Sequence, residues 1–337
     1  MAANWASEQV PAVGQQSMLH TAAASDGTAW AFGISAPDSG PFRTLIFRRG
    51  EQGWQRVAAP GIGRVSRAIA ISDADVWAVG DGESLHWDGD RWRHVPTAAL
   101  HDARAQLFGL AQFGGTDVWT AGYAPRRDHS ASRGTVQHWD GAAWTDVPVP
   151  AVAPGWSLAG IGGVSPDDLW AVGRGRPGHA VALHWDGQDW QQLPVSAPES
   201  GTAKLCDVAA LASNDVWAAG YRTAPGGGVR TRRPFAVHWD GSAWSAGEVP
   251  AGPGQIWQLV QDHASIWGVG YAPDSTPIVV RMLGFAWQFL PGPPAPGGTK
   301  HSSLYGGAIL PDGNLLVVGA TSASPDTAQP FAAVRRN

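Results

Sequence analysis

An imidazole, a guanidinium, a carboxylate and an amide (His20, Arg67, Asp207 and Gln258) stand at one place of a unit that recurs along this 337-residue chain. Glycine holds that place in three other units, as Gly109, Gly160 and Gly306, so the polar groups would border open space. If the space is catalytic, His20 is the expected proton carrier, because an unperturbed imidazole titrates nearest neutrality. Asp207 would then orient a charged intermediate, and Arg67 would hold a carboxylate or an oxyanion. The flanking position carries Ser66, Phe108, Cys206, Trp257 and Tyr305. Its rings would give an axial cup apolar walls around a few directed polar groups, the usual form of a small-ligand site. The alternative is that these residues cap strand ends and bind water.

Two further sets border the cup. Tyr123, Tyr221 and Tyr271 each follow the glycine of a W-x-x-G segment and would present amphipathic rings at its mouth. Arg126, Arg127 and Arg133 lie in one connection, and Arg230, Arg232 and Arg233 in another. Guanidinium forks of this kind suit a carboxylate, a phosphate or an acidic partner, although solvated loop charge explains them as well. His101-Asp102, His129 and His301 are further acid–base candidates. Cys206 is a nucleophile only if a histidine approaches it. No C-x-x-C, H-E-x-x-H, G-x-S-x-G or phosphate loop is present, and no metal ligand cluster or cofactor motif is visible.

The elements that must position these residues are read from Asp75 to Pro96, DVWAVGDGESLHWDGDRWRHVP. A short apolar run, an Asp-Gly hairpin between two tryptophans and a strand ended by proline each read as β-structure. The inner tryptophan recurs as Trp30, Trp77, Trp119, Trp170, Trp217 and Trp267, with Leu316 in seventh place. The intervals of 42 to 51 residues suit a four-stranded propeller blade. HWDG recurs at His86, His138, His184 and His238, so these histidines are structural: a site needs asymmetry.

The expected fold is therefore all-β, a single seven-bladed β-propeller with four antiparallel strands per blade. Blade 1 covers 17–60, blade 2 64–96, blade 3 106–150, blade 4 156–194, blade 5 204–250 and blade 6 256–291. Residues 303–337 supply the inner three strands of blade 7. Residues 1–11, with WASEQVP matching WSAGEVP at 244–250, supply its outer strand and close the ring. Most of the 19 tryptophans then fill the widening wedge between blades instead of forming a ligand cage. Connections on one face are short and regular. Those on the other vary in length, and that variable face is the expected binding face.

V-W-x-V before W-D-G-x-x-W, as in Val76 to Val79 and Trp87 to Trp92, resembles the tectonin-type propeller repeats over the whole chain. The resemblance implies a lectin-like or pattern-recognising protein. Composition bounds the rest. Charged residues make up 15% and the net charge is −5, so nucleic acid is not the expected partner. A single cysteine excludes an intrachain disulfide framework. No leader and no membrane-length apolar run is recognisable, which gives a cytoplasmic expectation with no membrane partner. The leading expectation is a ligand-binding or scaffold propeller that recognises a small molecule, a peptide or a protein loop. The alternative is a cofactor-independent cyclase, isomerase or hydrolase of specialised metabolism.

Overall fold

A computed structural model describes the chain apart from residues 1–3, 15, 37–40, 101–103, 126–131, 153–154, 177, 196–200, 263–264, 297–298, 300, 325–326 and 337. Seven four-stranded antiparallel sheets make it a seven-bladed β-propeller. In blades 1 to 6 the strands follow chain order from the inside outwards. The last blade takes Trp5–Glu8 as its outer strand, paired with Gln329–Arg335 through Trp5↔Arg335, Ala6↔Val334, Ser7↔Ala333 and Glu8↔Ala332. The chain divides into two compact units. One comprises Met1–Val95, Val260–Arg281 and Phe289–Asn337, and the other Pro96–Leu259 with Met282–Gln288.

The tryptophans act as packing. In the first unit Trp30 is fully buried and meets Trp92 edge-on at 5.3 Å, within a cluster that includes Phe32, Ile46 and Leu85. In the second, Trp170 meets Trp244 edge-on at 5.1 Å. These T-shaped pairs join neighbouring blades, and edge-to-face contact is a favoured aromatic geometry. The outer tryptophan of the last blade differs from its counterparts. Trp5 is only half-buried, whereas Trp54, Trp92, Trp144, Trp190, Trp244 and Trp287 are buried. Its indole N–H donates to the Pro291 carbonyl at 2.7 Å.

The recurring histidines have a defined job. His86, His138, His184 and His238 stack on Trp77, Trp119, Trp170 and Trp217 at 4.3–4.5 Å. Each Nε2 also lies 2.8–2.9 Å from a carboxylate oxygen of Asp75, Asp117, Asp168 or Asp215. The aspartate stands two residues before the tryptophan, so one blade supplies a carboxylate, an imidazole and an indole in a row.

The Asp-Gly hairpins carry a division of labour. Gly89, Gly141, Gly187 and Gly241 take φ values of 91–96°, which glycine alone adopts cheaply. Each preceding aspartate accepts two backbone N–H bonds, as Asp240 does from Ser242 and Ala243 at 2.8 and 2.9 Å. Those donors hold the Asp240 carboxyl down at about 2, the Ala243 N–H contributing most. A depressed folded value means that the turn contributes stability above the ordinary carboxylate range and loses it as pH falls towards 2. The melting temperature should therefore drop between pH 4 and pH 2, and less steeply in Asp240→Asn, whose amide oxygen still accepts. Parallel profiles for the two proteins would rule out this turn as an acid-labile element.

Candidate functional site at the variable strand ends

The innermost strands share a bulge that the sequence alignment did not resolve. Pairing skips one residue at His20, Ser66 and Tyr305 in the first unit, and at Phe108, Ala159 and Cys206 in the second. His20 is thus displaced by one position from the place expected for it. Thr21 stands in register with Arg67, Gly109, Gly160, Asp207 and Gly306. The cause lies in the connection after the strand. Trp30 pairs with Ala23, whereas Trp77 pairs with Ile69, so blade 1 is one residue shorter between its first two strands. Bulges re-aim side chains next to functional sites and break the period-two pattern on which a sequence alignment depends.

In the first unit the bulge residues sit among aromatic rings. His20 lies 5.7 Å from Tyr305, and Tyr305 lies 5.3 Å from Tyr271. His20 Nε2 is buried without a hydrogen-bond partner. Burial, reinforced by the Arg64 charge, lowers its pKa to about 4. The ring is therefore neutral at physiological pH, and the near-neutral titration that recommended it as a proton carrier is absent. Burial pushes the Tyr305 phenol up. Arg67 follows the Ser66 bulge in the strand Val65–Ser72 and pairs with Val79. His301 contacts the Asp274 carbonyl through Nδ1 at 2.9 Å.

The second unit brings together residues that are scattered in the sequence. A cavity of about 280 Å³ is lined by Ser132, Arg174, Arg176, Thr202, Lys204 and Tyr221, with Gly155, Gly175, Gly178 and Ala203. It lies at the strand ends opposite the short turns. Gly178 is needed there: its φ is 126°, and a Cβ would come within 2.6 Å of the Thr202 methyl. The floor of the cavity is ordered by backbone bonds from Ala203 N–H to the Gly178 carbonyl at 2.7 Å and from Gly175 N–H to the His179 carbonyl at 2.8 Å.

Around this cavity the charge is one-sided. Among the described residues Arg174, Arg176 and Lys204 form no ion pair with a carboxylate. The Arg232 guanidinium lies 4.1 Å from the Tyr221 ring and donates to Gln255 Oε1 at 2.5 Å. Lys204 Nζ lies 5.5 Å from the Trp257 ring. Both are cation–π geometries that leave the charge available to a ligand. Arg222 pairs directly across from Arg233, adding like charge at the same strand end. Burial pushes the Tyr221 phenol and the Cys206 thiol up, while Arg232 and Arg174 pull both the other way and Lys204 also pulls on the thiol.

The other expected residues fall in place as follows. Phe108 stacks on Tyr123 at 5.8 Å, rim packing within blade 3. Asp207 is buried, and its Oδ2 accepts from the Leu259 N–H at 2.9 Å, so this carboxylate anchors a neighbouring inner strand. Gln258, which follows Trp257 in the chain, is buried as well. Arg133 approaches Asp146 at 3.7 Å. Arg126, Arg127, His101, Asp102 and His129 lie outside the described residues. Among the described residues no group of three or more His, Cys, Asp or Glu is placed to hold a metal. Nor is any helix among them long and apolar enough to cross a membrane.

Arg174, Arg176 and Lys204 were not singled out from the sequence as binding residues. The only signal for them was position: Arg174 follows the W-x-x-G glycine of blade 4, where other blades carry tyrosine.

Strand order and blade count define a β-propeller, and the comparisons agree. YCF48 from Cyanidioschyzon merolae is similar over 99% of both chains, with a TM-score of 0.60 and 14% identity. YCF48 bound to D1 peptide is similar at a TM-score of 0.56 and 13% identity, over 99% of this chain and 96% of that one. The extracellular domain of the putative hybrid two component system BT4673 from B. thetaiotaomicron matches at a TM-score of 0.62 and 10% identity, over 99% of this chain and 40% of that one. At these identities the likeness establishes the fold. No family model and no curated protein matches the sequence.

Proposed function

We propose that this propeller is a ligand-binding or scaffold protein that captures an acidic ligand, a peptide carboxylate or a small organic acid, in the cationic pocket of blades 4 and 5. The observation that carries this reading is the set Arg174, Arg176 and Lys204 around one cavity, with no carboxylate paired to them among the described residues. Uncompensated cations around a recess favour an anion, because guanidinium forks can meet a carboxylate with paired, charge-assisted hydrogen bonds. Tyr221, held under Arg232, and Trp257, under Lys204, offer a ligand aromatic surface beside the charge. The solved YCF48 complex with D1 peptide supports a peptide as one form of the ligand. The tectonin-like repeat pattern supports recognition over catalysis. So do a neutral His20 and a Cys206 thiol pushed up by burial, neither of which is poised for acid–base or nucleophilic work.

The test is a binding screen of acidic peptides and dicarboxylic acids by calorimetry, with amidated peptides as neutral controls. Arg174→Ala and Lys204→Ala should each weaken binding at least tenfold, about 1.4 kcal/mol, with unchanged melting. Binding should also weaken as salt rises. Wild-type affinity in both variants, or binding lost instead in Thr21→Ala and Arg67→Ala, would move the ligand off this pocket.

A further inference from the structure

A second feature lies at the short-turn ends of the first unit, apart from the pocket above. In blades 2 to 5 the inner tryptophan pairs across the strands with a histidine, as in Trp77↔His86, Trp119↔His138, Trp170↔His184 and Trp217↔His238. The aspartate two residues before each tryptophan meets that histidine, so any positive charge on the ring is answered within the blade. Blade 6 departs from this arrangement at both places. Trp267 pairs with Arg281, and the aspartate's place is taken by Ser265, whose hydroxyl accepts from Arg281 Nε at 3.2 Å.

The departure leaves unanswered charge. The Arg281 guanidinium lies 4.6 Å from the Trp267 ring, and that of Arg335 lies 5.2 Å from the same ring. Both side chains are half-buried. Among the described residues neither forms an ion pair. The Asp262 carboxylate is engaged by the ring itself, its Oδ2 accepting from the Trp267 indole N–H at 3.2 Å. Burial and the neighbouring Arg281 charge hold Arg335 below the usual guanidinium range. Blade 1 makes the comparison sharper. There Thr28 and Arg48 replace the same aspartate and histidine, but Arg48 faces two indoles, Trp30 at 5.3 Å and Trp87 at 5.9 Å, with no second guanidinium on either ring among the described residues. In blade 6 two cations share one aromatic ring. Like charges held together at a half-buried place are costly until an anion joins them, and two guanidiniums offer it convergent donors.

We propose that Arg281 and Arg335, seated on the Trp267 indole, form an oxyanion-binding site that takes one sulfate, phosphate or carboxylate group. The indole fixes both guanidiniums, and the half-burial lowers the competition from water. The site answers to charge at the short-turn end of blade 6, so it adds an anchoring point for an acidic ligand or partner surface.

The experiment measures thermal stability of the full chain against sulfate and acetate, with chloride at matched ionic strength. It is run in a Lys204→Gln background, which weakens the first pocket and leaves whatever it still contributes equal in every variant compared. Sulfate also stabilises proteins by exclusion from their surfaces, an effect that acts on every variant alike. The expected result is an extra sulfate- or acetate-dependent rise that disappears in both Arg281→Gln and Arg335→Gln, reflecting at least tenfold weaker binding. The double variant Ser265→Asp with Arg281→His, which rebuilds the pair of the other blades, should fold normally and show no extra rise. A response to sulfate alone assigns a tetrahedral oxyanion and a response to both assigns a carboxylate as well. An equal rise in wild type and in either single Gln variant, or no anion-specific rise in the parent, overturns the proposal.

Discussion

Deleting residues 1–11 is expected to yield a protein that aggregates or melts far below the intact chain. The segment Trp5–Glu8 covers the edge of Gln329–Arg335, and without it a full row of backbone groups is left unpaired. Glu8 adds a side-chain tie. Its carboxylate receives the Arg49 guanidinium through Nε at 3.0 Å and Nη2 at 2.5 Å, and accepts the Trp54 indole N–H at 2.8 Å. Arg49 keeps solvent access, at 38% side-chain exposure, so the ion pair itself contributes only about 1 kcal/mol. Leaving the indole N–H of the buried Trp54 without a partner costs about 1–3 kcal/mol more. Glu8→Ala should therefore account for part of the loss without aggregation, and the deletion for much more. An unchanged melting curve for the deleted chain and an elution profile matching that of the intact chain would sink the closure argument. The half-burial of Trp5 also sets an order: Trp5→Ala should cost less than Glu8→Ala.

Trp170→Ala is expected to cost about 3–5 kcal/mol, the range for removing a large aromatic ring from a close-packed interior. Trp170 is fully buried, stacks on His184 at 4.4 Å and meets both Trp239 and Trp244 at 5.1 Å. Removing it opens a cavity between blades and strips the ring that orients His184 against Asp168. Trp170→Phe is the informative companion. Its ring keeps much of the stack and removes an indole N–H that is buried without a partner. The expected loss for Phe is therefore well under half of that for Ala, measured by chemical denaturation at constant m-value. Equal losses would mean that stacking area contributes little and that the indole edge matters most.

Much of this fold was legible because its determinants are short-range. The Asp-Gly pairs demand a positive φ wherever they stand, and Gly89, Gly141, Gly187 and Gly241 all adopt it. The inner tryptophan marks the second strand of six blades because a wide ring fits only where the blades diverge. WASEQVP at the beginning of the chain pointed to an outer strand, since its spacing repeats that of a segment whose blade is complete. What the sequence did not carry was a shift of one residue. A bulge in six of the inner strands and a shorter first connection in blade 1 moved His20 out of the row containing Arg67 and Asp207. No residue type announces such a bulge, because His20, Ser66, Phe108, Ala159, Cys206 and Tyr305 have nothing chemical in common.

The candidate sites lay further from reach for a different reason. Arg174, Lys204 and Arg232 belong to three strands or connections and carry no local motif; only tertiary packing sets the first two around one cavity and the third over its Tyr221. The same holds for Arg281 and Arg335, which read separately as a degraded hairpin and a terminal charge until one indole joins them. Local sequence determined the strands, the turns and the count of blades, since those depend on backbone preference and on the period of burial. Which charges meet, and whether a histidine is neutral, was decided by long-range packing, because proximity and desolvation are properties of the assembled chain.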